Sequence, residues 1–371
     1  MPKILIVFGT RPEAIKLAPV VKELRSRSSD FDVQVCITAQ HRELLDQVLE
    51  VFSIEPEFDL DLMLAGQTLF QSTSRVVAGL ESVLHQARPD MVLVQGDTTT
   101  TMCGALAAFY ARVPVGHVEA GLRTGTPDIP FPEEMNRVLT SRLASLHFAA
   151  TEWAAANLRK EGVAPERIVV TGNTGIDAVL HVHAGIESGR LVPCRNIPVD
   201  PGRKLILVTA HRRESFGEGF EQICAALIEL SQRPDVTIVY PVHPNPNVQE
   251  PVNRILEGAE RILLVEPLDY VSFVGLMRRA YLLITDSGGV QEEAPSLGKP
   301  VLVMRASTER PEAVETGTAR LVGTDPRAIV REASRLLDGP EAYASMARVH
   351  NPYGDGRASQ RIADARLSFF K

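Results

Sequence analysis

Short runs of β-branched and aliphatic residues, each followed by a stretch of helical periodicity, recur along most of the 371-residue chain. This alternation restricts the fold more than any other feature, because it is the pattern of βαβ units, which build parallel sheets with helices on both faces. Lys3–Phe8 opens the series as an unbroken apolar run, as a strand covered on both faces requires. The turn Gly9-Thr10-Arg11-Pro12-Glu13 follows, with Pro12 suited to the first position of a helix whose Ile15, Ala18, Val21 and Leu24 share one face. Strands are expected at 33–38, 91–95, 146–149 and 168–171, with a short apolar run at 114–118. Helices are expected at 41–52, 67–85 and 151–161.

The rhythm breaks at 181–202, where Gly185, Gly189, Pro193, Pro198, Pro201 and Gly202 crowd together, and this segment is read as a linker. A second series follows, with strands expected at 204–209, 236–240, 262–265, 281–285 and 300–304 and a final amphipathic helix over 357–370. The expected fold class is α/β: two Rossmann-like domains with loops at their strand ends and a cleft between them. The length suits two domains of ordinary size.

A net charge of −7 without long basic runs argues against a sequence-independent grip on nucleic acid. No apolar run approaches the roughly 20 residues of a membrane span, and with a strand-like start no cleavable leader is expected. Cys36, Cys103, Cys194 and Cys224 are scattered, without metal spacing, and read as buried free thiols. A cytoplasmic protein is expected, with neither nucleic acid nor membrane as partner.

Acids gather between Gln95 and Arg137. Asp97 follows the apolar run 91–94, Glu119 follows 114–118, and Glu133 and Glu134 open a helical pattern after a Pro- and Gly-broken loop. In open α/β sheets ligands bind at the carboxyl ends of the strands, so Asp97, Glu119 and one of Glu133 and Glu134 read as acid–base groups. A structural alternative for Asp97 and Glu119 is that they cap helices or pair with Arg123 or Arg137. In the second series, Thr285-Asp286-Ser287-Gly288-Gly289 joins a strand to a helix. The glycines let a ligand approach the backbone, Ser287 can cap the helix or bind a phosphate oxygen, and Glu293 can take ribose hydroxyls. An ordinary Ser-capped helix with a surface Glu is the alternative. Arg11 and Lys16 are candidate cations near the first helix start, against a solvated face for Lys16. His211, beside Arg212 and Arg213 at a strand end, is a candidate acid–base group or phosphate ligand.

Taken in order, Gly9-Thr10-Arg11-Pro12-Glu13, Gly96-Asp97-Thr98, His117-Val118-Glu119-Ala120-Gly121-Leu122-Arg123, Pro132-Glu133-Glu134-Met135-Asn136-Arg137, His211-Arg212-Arg213-Glu214, Asp286-Ser287-Gly288-Gly289 and Asn351-Pro352-Tyr353-Gly354-Asp355-Gly356 form a set. This set resembles the bacterial non-hydrolysing UDP-N-acetylglucosamine 2-epimerases along essentially the whole chain. The resemblance implies a GT-B-like arrangement: residues 1–172 with a returning C-terminal helix 357–371 as the sugar side, and 173–356 as the UDP side. It also implies a homodimer that interconverts UDP-GlcNAc and UDP-ManNAc with no metal and no other cofactor.

In that family UDP leaves C1 as the C2 proton is lost, and UDP re-adds to the 2-acetamidoglucal as a proton arrives from the opposite face. On this basis Asp97 and Glu133 are the proton-transfer candidates, with the faces unassigned, and Glu119 positions or stabilises the sugar. His211, Arg11, Lys16 and Arg310 fall on the diphosphate side, and Arg137 lies in the same motif as Glu133. Ser287, Gly288, Gly289 and Glu293 match the phosphate and ribose grip, while Phe273 and the backbone at Leu268, a Gln in some relatives, match the uracil pocket. Some members bind a second UDP-GlcNAc as activator through Gln and Arg residues; here Gln40 and Gln67 are present, with Glu43 and Gly66 beside them. The alternatives are a hydrolysing epimerase that releases ManNAc and UDP, a GT-B glycosyltransferase, and a silent nucleotide-sugar sensor.

Overall fold

The strands of the computed structural model follow the apolar runs closely. The structure describes residues 1–39, 42–64, 66–193, 197–348 and 350–369. The chain divides into two compact units, 1–178 with 353–371, and 179–352. In the first unit β1 (Lys3–Phe8), β2 (Asp32–Ile37), β3 (Phe58–Asp59), β4 (Met91–Gln95), β5 (Val115–Val118), β6 (Leu146–Ala149) and β7 (Ile168–Val170) form one parallel sheet in the order β3-β2-β1-β4-β5-β6-β7. In the second, β8 (Lys204–Thr209), β9 (Val236–Pro241), β10 (Ile262–Val265), β11 (Leu282–Thr285), β12 (Val301–Val303) and β13 (Ala319–Leu321) are parallel in the order β10-β9-β8-β11-β12-β13.

Each sheet reverses its strand order once, between β1 and β4 and between β8 and β11. Successive crossovers leave on opposite faces there, so the carboxyl ends of those strand pairs part and open a crevice. The core explains the strand positions: Ile4–Phe8 and Met91–Val94 are fully buried because helices cover both faces of the sheet. Ile15, Ala18, Val21 and Leu24 of the helix Arg11–Ser26 face that core as their periodicity required. Pro12 stands at the second residue of that helix rather than the first.

The expected linker at 181–202 needs correction. Helix Thr174–Glu187 runs through its first part, and the boundary between the units, after Ala178, falls inside this helix. The glycines and prolines from Gly189 onward follow the end of that helix and precede β8, inside the second unit rather than between the units. The short strands β3 and β13 carry too few residues to have shown a pattern. Cys36, Cys103 and Cys224 are buried and free, while Cys194 lies outside the described residues. Among the described residues no helix is long and apolar enough to cross a membrane.

Candidate active site

The first unit builds its switch-point crevice on a buried carboxylate that drew little weight from sequence. Thr10 and Glu13 form a capping box at the first helix: Glu13 Oε2 accepts from the Thr10 amide at 2.7 Å and the Gly9 amide at 3.0 Å. Its other oxygen accepts from the Thr98 and Thr101 hydroxyls at 2.6 and 2.9 Å. Glu13 thus ties the turn after β1 to the turn after β4, and burial raises its pKa despite these donors. Gly9 is required by the closeness of this junction. A Cβ there would overlap Thr38 Oγ1 and stand 2.6 Å from Thr100 Oγ1, and those two hydroxyls bond each other at 2.9 Å.

Asp97 leaves the end of β4 and is held by one oxygen. Arg137 reaches Asp97 Oδ2 with Nε at 2.9 Å and Nη2 at 2.7 Å, while Asn136 donates to the Asp97 carbonyl at 2.8 Å. Among the described residues Oδ1 has no hydrogen-bond partner. The structural alternative for Asp97, a pair with Arg137, therefore coexists with an open oxygen. Arg123 is engaged elsewhere, with Glu161 at 2.7 Å and Ser141 at 2.9 Å.

The helix Glu133–Leu143 separates the two adjacent acids that sequence could not. Glu134 is buried and fully committed: Oε2 takes Arg137 Nη1 at 2.8 Å, and Oε1 takes the Thr124 and Gly125 amides at 3.0 Å each. Glu133 is half-buried, and its Oε2, shielded from solvent, has no partner among the described residues. A carboxylate oxygen placed this way is an exception that calls for an explanation, since buried polar atoms are nearly always bonded.

Glu119 follows β5 in a left-handed conformation, φ +64°, which a non-glycine residue adopts only under constraint. Its side chain pairs with Lys16 and accepts from Asn173 Nδ2 at 3.2 Å. Lys16 is buried, contrary to the solvated face weighed for it. Between Asp97 and Glu119, His117 Nε2 bonds the Gly96 carbonyl at 2.8 Å, which fixes the proton on that nitrogen. Burial pushes the His117 pKa down to about 4, so the ring is neutral. Arg11 is the first residue of its helix, and Gln67 donates to the Leu62 carbonyl at 3.0 Å on the loop beyond β3. Gln40 lies outside the described residues.

In the second unit Asp286, fully buried at the end of β11, organises the loop after β8. Its Oδ2 accepts from the His211 and Arg212 amides at 2.7 Å each, and Oδ1 stands 3.3 Å from His211 Nδ1. Burial lowers the His211 pKa while Asp286 opposes that shift, and the ring stacks on His243 at 5.5 Å. The expected Ser287 cap is not made: Ser287 occupies the cap position, but its side chain makes no cap bond. Gly288 admits the Arg310 guanidinium, whose Cζ would lie 2.5 Å from a Cβ there. Arg310 bonds Glu292 and Glu309 at 2.7 Å each. Gly289 lies in the same first turn and Glu293 ends this short helix, largely buried. Leu268 is buried just after β10, and Phe273 sits half-buried in the first turns of the helix Tyr270–Arg279. The structure thus joins Asp97 with Arg137, Lys16 with Glu119, and Arg310 with Gly288.

Sequence reasoning gave no role to Glu13, Asn173 and Asp286. The Thr10-x-x-Glu13 capping box was a legible signal for the first; Asn173 and Asp286 act through partners 54 and 75 residues distant.

Two doubly wound parallel sheets, each with polar groups gathered at its switch point, define an α/β protein of two Rossmann-like units. The family model for UDP-N-acetylglucosamine 2-epimerase matches residues 22–366. The UDP-N-acetylglucosamine 2-epimerase of Escherichia coli K12 is 57% identical over 368 residues, 98% of each chain. A crystal structure of the Neisseria meningitidis UDP-GlcNAc 2-epimerase bound to UDP-GlcNAc superposes with TM-score 0.93 at 47% identity, covering 99% of this chain and all of that one. The Methanocaldococcus jannaschii enzyme, in complex with UDP-GlcNAc and UDP, gives TM-score 0.81 at 32% identity over the whole of both chains. The chain belongs to the UDP-N-acetylglucosamine 2-epimerase family.

Proposed function

We propose that this protein is a non-hydrolysing epimerase that interconverts UDP-GlcNAc and UDP-ManNAc. The observation that carries the proposal is the division of labour among the strand-end acids: Glu134 is spent on structure, while Asp97 keeps one oxygen open and Glu133 keeps one buried and unbonded. The names and bound ligands of the similar proteins support the same substrate.

C2 of the sugar is not next to a carbonyl, so its proton is too weakly acidic for direct removal. Departure of UDP with the C1–O electron pair, while a carboxylate takes the C2 proton, gives a C1=C2 double bond and a neutral 2-acetamidoglucal. Re-addition of UDP oxygen to C1 with protonation of C2 from the other face completes the inversion. Asp97 and Glu133 are the pair of acid–base groups this requires. Glu119, its charge offset by Lys16, stabilises positive charge developing at C1. A diphosphate leaves readily and needs cations rather than an acid. Arg11, Lys16, His211 and Arg310 supply that side, with Ser287, Gly288, Gly289 and Glu293 on phosphate and ribose, and Leu268 and Phe273 on uracil.

The reading includes a cytoplasmic homodimer that uses no cofactor and feeds ManNAc units to surface polysaccharide. Purified protein with UDP-GlcNAc, followed by proton NMR, tests it. UDP-ManNAc at a stable ratio is the expected result, and accumulation of free ManNAc and UDP would identify a hydrolysing enzyme instead.

A further inference from the structure

A second cavity lies at the opposite end of the UDP-side sheet, in a place that the proposed reaction does not use. Its volume is about 650 Å³, and it is bounded by the end of the helix Thr174–Glu187, Val192 and Pro193 beyond it, the helix Tyr270–Arg279 from Ser272 to its end, and the segment just before β12. Arg279 precedes β11 and Lys299 precedes β12, so this cavity sits by the amino ends of those strands. His211 and Ser287 stand at their carboxyl ends.

The lining is sharply divided. Ile186, Leu276 and Leu297 give an apolar wall, while Arg278, Arg279 and Lys299 give three cations, and no Asp or Glu lines the cavity among the described residues. One carboxylate reaches the rim: Glu187, exposed, stands 3.2 Å from Arg278 and 3.5 Å from His183. Among the described residues Arg279 donates to the Ile197 and Val199 carbonyls, both at 3.4 Å, and neither Arg279 nor Lys299 has an acidic partner. His183 Nδ1 is shielded from solvent and has no hydrogen-bond partner among the described residues. Burial and the neighbouring Arg278 lower the Lys299 pKa, the behaviour of a cation lacking its counter-charge. Basic residues at a helix C-terminus have a structural use, complementing the helix dipole. That accounts for Arg278 and Arg279 but not for Lys299, which reaches the same cavity from a different segment.

We infer that this cavity is a binding site for an organic phosphate, a phosphate monoester on an apolar body. Three cations against one carboxylate leave two positive charges, which match a phosphate ester of nearly two negative charges at neutral pH. Guanidinium groups suit the paired oxygens of that group. The apolar wall takes the body, and the volume lies within the range of small-molecule sites.

The test is calorimetric titration of the full chain with inorganic phosphate, butyl phosphate and hexyl phosphate, in saturating UDP to occupy the strand-end site. Affinity is expected to rise with chain length, up to about fourfold per methylene buried. Lys299→Gln and Arg279→Gln are each expected to weaken hexyl phosphate at least tenfold, with unchanged melting curves and unchanged epimerisation. Affinity indifferent to chain length, affinity unchanged in both variants, or binding abolished by UDP would each overturn the inference. Because the variants map the site directly, a failure of UDP to bind would count against the epimerase reading alone.

Discussion

Glu133→Gln and Glu134→Gln alter adjacent residues of one helix, yet the structure predicts opposite phenotypes. Glu134 is 3% exposed and Arg137 5% exposed, and their bond at 2.8 Å is a buried ion pair. A glutamine at 134 can still accept from the Thr124 and Gly125 amides through its oxygen, but its NH2 then faces Arg137 Nη1, donor against donor. Removing one partner of a buried pair costs about 3–5 kcal/mol. Arg137 keeps Asp97, so the lower end, about 3 kcal/mol, is expected. For a unit of this size that lowers the melting temperature by roughly 6–12 °C. Glu133 Oε2 has no partner to lose, so Glu133→Gln should change stability by less than about 0.5 kcal/mol. Its turnover should fall by about 10²–10⁴, the usual worth of a general acid or base. Thermal melts and initial rates of UDP-ManNAc formation give both quantities. A Glu133→Gln enzyme within threefold of wild-type rate, or a Glu134→Gln enzyme melting with wild type, would refute the assignment.

Other perturbations follow from the same geometry. Glu13→Ala orphans the Gly9 and Thr10 amides and should cost about 3 kcal/mol in denaturant titration, whereas Glu13→Gln, which can bond both amides and the two threonines, should cost far less. Lys16→Met leaves Glu119 charged and largely buried, and should reduce both melting temperature and turnover. His117 titrates near pH 4 when folded and near 6.5 when unfolded, so the unfolded chain takes up the proton first as pH falls. Its contribution is complete above about pH 6.5, and about 3 kcal/mol is lost on descending to pH 4. Melting temperatures of His117→Gln should therefore fall less steeply than wild type over that window.

The strands at 3–8, 91–95, 146–149 and 204–209 were legible to the residue because a parallel strand buried on both faces is almost wholly apolar, and the edge strand 262–265 because it is a short aliphatic run. The placing of Asp97, Glu119 and His211 at strand ends followed from those same runs. What sequence could not show depended on partners far along the chain. Lys16 meets Glu119 across 103 residues, and Asp286 meets the His211 amide across 75. The choice between Glu133 and Glu134 needed the rotation of one helix against the loop at Thr124 and Gly125. Glycines and prolines after residue 188 disguised the helix Thr174–Glu187 as a linker, since the breakers that end a helix and those that fill a loop are the same residues.

In the proposed mechanism the C2 proton leaves and returns while UDP departs and comes back. Incubation of the wild-type protein with UDP-GlcNAc in D2O, observed by NMR, tests it directly. UDP-ManNAc and UDP-GlcNAc at equilibrium, both carrying deuterium at C2, are expected, with no free ManNAc accumulating. UDP-ManNAc formed with its C2 proton retained would contradict it.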